Sequence, residues 1–485
     1  MVVLSIVICP IVIRLLSKIN ISSVASSGKP ACSKISNIAF YVIPFFLFLF
    51  YYISHYPGGF SPDSITQFAQ TIDNKYNDWH PVIHTLIAFK LPLSLTGGWI
   101  GSIVLFQIIC FSAVLGYSFN AIYKYTNLKF AVLSMLFVIL NPQSGYIAMY
   151  PWKDTSFAIG ALLLLTFSLH IYMSSGTWIK SKRNLLLFIL TAALTTLFRH
   201  NAILFTVPLI IAVLFYMTRK RGLIVCMSVL VLCMGIRFPL YSAMNVEQPD
   251  QRQVETLGLP MTVIGAAVKY TPLALDEETL EFAYKVAPRE VWEEKYSYGS
   301  YNSVKWDERT NNEIIEEHGA AKVISMMIHC FRSSPRVSFT ALIKLTRAIY
   351  TVSDKYLFFS VPIIEDNNYG IEPKASYNIC LYLKTYSDII TESFPHIFMF
   401  LGVMHLLLIA SVLSKYKLSK LSDWKKILFI IPVFAYNYGT ALLLTSSSDA
   451  SRFFYYTFPL MPILLVFLFH KNNERGTDTN VLVSE

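Results

Sequence analysis

The feature that most constrains this chain is a series of apolar runs, each close to the roughly 20 residues that cross a bilayer. About ten follow the N-terminal segment, near residues 38–54, 99–123, 130–149, 155–173, 185–198, 203–217, 223–240, 395–413, 427–445 and 453–470. A backbone inside lipid must satisfy its own hydrogen bonds, which leaves helices or a closed barrel, and runs this long and continuous suit helices. Residues 1–16 form a further apolar run. It lacks a basic leading region and a small-residue cleavage site, so it reads as a retained helix and not as a removed signal. Hydrophobic residues make up 54% of the chain and charged residues 14%, against about 25% charge in a soluble globule. The expected fold class is an all-α polytopic membrane protein, a bundle of about 10–11 transmembrane helices with an extracytoplasmic, mostly helical domain.

The net charge of +10 is dispersed in short clusters between the apolar runs. Lys124 to Lys129, Lys180 to Arg183, Arg219-Lys220-Arg221 and Lys415 to Lys426 all fall on one side of an alternating topology. They follow the positive-inside bias of cytoplasmic loops and not the contiguous basic face of a nucleic-acid binder. The complementary loops, 55–98, 150–154, 199–202, 241–394 and 446–452, then face outward. This divides the chain into an N-terminal membrane module over 1–240, an extracytoplasmic domain over 241–394, C-terminal membrane helices over 395–470 and a cytoplasmic tail over 471–485. The amphipathic stretch 321–352 also suits a membrane surface. The chain has 7 cysteines and no CxxC pair; only Cys330 and Cys380 lie in the large polar segment, where their spacing leaves a disulfide open.

Reactive residue types gather in the outward loops. Pro57-Gly58-Gly59-Phe60-Ser61-Pro62-Asp63-Ser64 breaks the chain just after a span and can hold a tight turn. Asp63 there either caps the short helix expected over 64–73 or acts as a functional carboxylate. The Trp79-His80-Pro81 cluster follows, with His84 four residues beyond His80. That spacing suits a metal pair but lacks the glutamate of a zinc-binding helix, so one histidine is expected to touch substrate and the other to be structural. Lys153 and Asp154 sit in a very short loop, either as interfacial residues beside Tyr150 and Trp152 or lining an outward cavity. Arg199, in Phe198-Arg199-His200-Asn201, opposes the positive-inside bias, and an anionic phosphate would explain it because the guanidinium fork matches phosphate oxygens. Arg452 begins the last helix against its macrodipole. Its partner is either Asp449 or an external anion.

These motifs, in this order, resemble the GT-C membrane glycosyltransferases, and among them a bacterial branch bearing PGxxSxDS, HP, WKD, RHN and DxRF motifs. They stand here at Pro57 to Ser64, His80-Pro81, Trp152 to Asp154, Arg199 to Asn201 and Asp449 to Phe453. The resemblance implies a multi-pass enzyme of the bacterial plasma membrane with its active site facing outside. It would move a sugar from a polyprenyl-phosphate donor to a cell-surface glycan, glycolipid or teichoic-acid-type acceptor. Asp63 would be the general base, with Asp154 and His80 beside it as catalytic residues. Lys153, Arg199, His200 and Arg452 would hold the donor phosphate, and Trp79, His84 and Asp449 would line the acceptor side. Some relatives use a divalent cation, Mg or Mn, which Asp63 and Asp154 would hold here. Asp63 is followed by Ser64 and not by the glutamate of the mannosyltransferase pattern. The alternative is a transporter or flippase for lipid-linked sugars, which predicts polar groups near the bilayer midplane.

Overall fold

The computed structural model describes residues 34–249, 252–351, 361–374, 377–393, 401–416, 424–447 and 450–469. The N-terminal run 1–16, the following loop to residue 33, Asp449 and the tail 471–485 therefore lie outside the described residues. Among those described, every extended element is a helix, with isolated β-bridges only. Five helices are long and apolar enough to cross a membrane: Asn37–Ser54, Gly101–Tyr125, Lys153–Met173, Arg219–Ala243 and Arg452–Phe469. This is the composition of an all-α polytopic membrane protein; among the described residues, which leave out the run at 1–16 and part of that at 395–413, fewer helices reach full span length than the apolar runs suggest.

The difference has local causes. The run at 130–149 is two helices, Leu128–Ile139 and Pro142–Met149, bent by 59°. Asn141 caps the second through its side chain, which accepts the Gln143 amide at 3.0 Å, and Pro142 occupies the first helical position, where its ring suits a helix start but cannot continue one. The runs at 185–198 and 203–217 become helices of 16 and 12 residues, Lys182–Leu197 and Ile203–Leu214, separated by the polar Arg199 turn.

One apolar core joins these helices, with Phe111, Ala158, Phe205, Tyr436 and Ile463 all fully buried. The Arg219–Ala243 helix lies at the edge, only 11% of its apolar window buried inside the protein. Outward-facing Leu223, Val231 and Phe238 suit lipid contact. The helix ends sort into two sets. At one end, Tyr172 and Tyr216 meet Phe429, with ring centroids 6.0 and 5.8 Å apart, and Lys425 reaches over Tyr216. At the other end gather the loops following Ser54, Met149, Leu197 and Ala243 and the one preceding Arg452, the set that the charge bias places outside.

The polar insertion forms a second core around Met261, Ile264, Trp292, Tyr301 and Ala341. It also absorbs Val323, Met326 and Cys330 of the amphipathic stretch, so part of that face is turned inward. Farther on, Phe60 donates its amide to the Ile363 carbonyl at 2.9 Å, and Glu365 donates back to the Phe60 carbonyl at 3.0 Å. Residues 361–374 thus return to the first outer loop. The Tyr377–Glu392 helix continues onto the membrane bundle, where the Tyr146 hydroxyl donates to the Leu383 carbonyl at 3.3 Å. Cys330 and Cys380 are both free. Cys330 is buried in the insertion's core, while the Cys380 thiol donates to the Ser54 carbonyl at the end of a membrane helix, so no bridge joins them.

Candidate functional site

The first outer loop is shaped by its glycines. Gly58 has φ +126°, a conformation that side chains oppose, and a Cβ there would strike Val104 and the Met149 carbonyl. Gly59 donates its amide to that same carbonyl at 2.9 Å, and a Cβ would meet the Tyr150 ring at 2.6 Å. The Pro57-Gly58-Gly59 turn is therefore pressed against the second outer loop. Tyr150 and Trp152 stack with centroids 4.1 Å apart, and the Trp152 indole donates to Ser61 Oγ at 2.7 Å. Two motifs 90-odd positions apart in the chain thus form one wall.

Ser61 takes the N-cap position of the Pro62–Asp73 helix, and Asp63 lies within its first turn. The capping role considered for Asp63 is not the one it plays. Its carboxylate instead accepts from Arg452 Nη1 at 2.9 Å, with both side chains part-exposed at 28% and 21%. The arginine's partner among the described residues is thus Asp63. Burial raises the Asp63 pKa, but the charges of Arg452 and Lys153, with His80, outweigh that and hold it well below the usual carboxylate range. The Pro62–Asp73 helix is fixed from behind by Gln67, whose Oε1 accepts from His84 Nδ1 at 2.6 Å and from Thr85 Oγ1 at 3.1 Å.

His80 and His84 do not share a helix face, because His80 precedes the short Val82–His84 turn. Each is buried, and they do different things. His84 Nε2 accepts from Ser156 Oγ at 3.1 Å, so both ring nitrogens are occupied within the protein. Burial lowers its pKa to about 3. His80 Nδ1 accepts from Lys153 Nζ at 3.1 Å. That bond fixes the tautomer, leaving the proton of the neutral ring on Nε2. Burial, then the Lys153 charge, press the His80 pKa well down.

Lys153 and Asp154 open the Lys153–Met173 helix. Asp154 is ion-paired with Arg199, the side chains 3% and 7% exposed. Asn201 orients the guanidinium by accepting from its Nε at 2.5 Å, and is itself held by Thr440 at 2.8 Å. Arg199 and Arg452 both approach the Phe453 ring, their Cζ atoms 4.5 and 4.8 Å from its centroid. Arg452 also stands 5.1 Å over Trp152. Four of the five outer loops thereby converge on one cluster of aromatic rings and guanidinium groups, an arrangement favourable to each cation. Lys153 has no carboxylate within ion-pair distance among the described residues. With Asp63, Asp154, Arg199 and Arg452, it leaves the cluster one positive charge in excess.

His200 turns away from this group. Its Nε2 donates to the Asp78 carbonyl at 3.1 Å, beside a cluster that the sequence reading passed over. The fully buried Asp78 carboxylate accepts from Arg237 Nη2 at 2.6 Å and from the Tyr241 hydroxyl at 2.8 Å. Arg237 carried a readable signal, a lone cation late in an apolar run at the outer end, the same departure that singled out Arg199. Trp79 faces the insertion: Lys305 lies 5.5 Å over its ring and 4.4 Å over Trp306, and is ion-paired with Glu255.

The resemblance implies Asp63 and Asp154 as holders of a divalent cation. Each faces its own arginine, and among the described residues no three His, Cys, Asp or Glu side chains group to hold an ion. Compared with known proteins, the chain matches no family model, no curated protein and no solved structure.

Proposed function

We propose that the protein is an integral membrane glycosyltransferase of the bacterial plasma membrane, working on the outer face. It moves a sugar from a polyprenyl-phosphate donor to a cell-surface glycan, glycolipid or teichoic-acid-type acceptor. The observation that carries the reading is the meeting of Lys153, Arg199 and Arg452 with Asp63 and Asp154 at one end of the bundle. Charges at helix ends, with none of this cluster midway along a helix, favour this reading over a transporter of lipid-linked sugars. The positive-inside bias assigns that end to the outside.

In the proposed reaction the acceptor hydroxyl oxygen bonds to the anomeric carbon while the bond from that carbon to the phosphate oxygen breaks. The electron pair leaves on the polyprenyl phosphate, and the hydroxyl proton passes to Asp63. General-base assistance of this kind contributes about 10²–10⁴ in rate. Charge developing on the leaving phosphate falls beside Lys153 and the arginines, fixed in position before the reaction and therefore effective. His80, with its proton on Nε2, offers a further donor. The group of Trp152, Phe453 and Arg452 forms the lip of the site, where a lipid phosphate arrives from the membrane edge.

The test is transfer of labelled sugar from a polyprenyl phosphate by the purified protein in lipid nanodiscs, alongside mass spectrometry of cell-surface glycans with and without the gene. A labelled acceptor product and a missing glycan component are expected. Unchanged glycans with no labelled product would overturn the proposal. Movement of the intact donor across a vesicle membrane would establish the transporter instead.

A further inference from the structure

Arg452 uses only part of its donor fork. Nη1 reaches Asp63 at 2.9 Å, while the buried Nε has no hydrogen-bond partner among the described residues. A buried guanidinium N–H left unpaired is costly, and one beside a part-exposed carboxylate and a lysine with no acidic partner among the described residues is placed for an anion. Planar guanidinium groups take phosphate oxygens in pairs. Asp63 and a phosphate therefore compete for one cation.

We propose that Arg452 is shared between Asp63 and the lipid phosphate: it holds the carboxylate while the donor site is empty and turns to the phosphate when the donor binds. Donor binding thereby releases the base, and binding becomes ordered, with the donor first. This rests on the transferase reading and adds to it a sequence of events. Lys153, adjacent and bound to neutral His80, remains to balance the released carboxylate. The rings of Trp152 and Phe453, 5.1 and 4.8 Å from the Arg452 Cζ, favour the cation whichever anion it faces.

The experiment is a double-mutant cycle read by binding alone, using a polyprenyl monophosphate as the probe and the full-length protein in nanodiscs. Asp63→Asn, which removes the competitor at constant shape, is expected to tighten binding by roughly fivefold. Arg452→Gln is expected to weaken it by tenfold or more, on the order of the 1.4 kcal/mol that a tenfold change represents. In the Arg452→Gln background, Asp63→Asn should give no gain. A gain that persists without Arg452 would reduce the effect to charge repulsion between Asp63 and phosphate, and would overturn the proposal. An unchanged affinity in Asp63→Asn would overturn it as well. Arg452→Lys, which keeps the charge and protects against misfolding, should retain the competition in part. Absence of binding to the unsubstituted protein would instead bring down the transferase reading itself.

Discussion

Arg199 and Asp154 form an ion pair buried almost completely, with side chains 7% and 3% exposed. Truncating one partner strands a charge away from water, at a cost of about 3–5 kcal/mol, whereas replacing both with apolar residues is often neutral. Arg199→Met alone should therefore lose most folded protein. Arg199→Met combined with Asp154→Leu should recover folded protein, by size-exclusion yield, without recovering sugar transfer. Recovery of transfer in the double variant would make the pair purely structural.

Asp63→Asn should leave the folded yield and thermal midpoint close to wild type, because the carboxylate is part-exposed and its helix is held by Gln67 and His84. Transfer should fall by about 10²–10⁴. An unaffected rate from the purified variant would remove Asp63 from the reaction.

His84 is buried, neutral and occupied at both nitrogens, with its pKa lowered to about 3. The unfolded state, at about 6.5, takes up a proton first as pH falls, so this histidine's contribution is fully present above about pH 6.5 and diminishes toward pH 3. The slope it adds is at most about 1.4 kcal/mol per pH unit. Thermal unfolding of His84→Asn should depend less on pH between 6.5 and 4. A slope identical to wild type would refute this assignment.

Gly58 combines φ +126° with neighbours that leave no room for a side chain. Gly58→Ala should cost about 1–3 kcal/mol and move the first outer loop off Tyr150. Denaturation midpoints together with transfer rates would register both effects. A variant stable but inactive would locate the defect in loop position alone.

The two helix-end sets predict opposite labelling. In a cysteine-free background, Lys75→Cys, exposed in the first outer loop, should react with an impermeant maleimide on intact cells, and Lys129→Cys should react only after permeabilisation. Labelling of position 129 from outside would invert the topology.

Much of this arrangement was legible in the sequence. The alternation of apolar runs with Lys/Arg-rich loops assigns Asp63, Lys153, Asp154, Arg199 and Arg452 to one end, and the structure gathers those residues there. What the sequence does not carry is pairing. Nothing in local spacing says that Arg452 meets Asp63, 389 positions away, or that Arg199 meets Asp154, since such contacts follow from how helices are ordered around the bundle. Asn141 and Pro142 interrupt an apolar run through capping and ring geometry, which hydropathy does not register. Asp78 has no local mark of its own, since what distinguishes it is contact with Arg237 and Tyr241, 159 and 163 positions away.

The turn at Gly299 donates and accepts backbone bonds with the segment leading to Arg452: Ser447 gives its amide to the Gly299 carbonyl at 3.0 Å, and Tyr301 gives its own to the Thr445 carbonyl at 2.7 Å. The insertion is therefore a splint on the segment that leads to Arg452 as well as a neighbour of the site. A shortened protein lacking it would lose the bonds that hold the approach to its last helix, so exchanging this insertion for another must carry the 297–301 turn across with it.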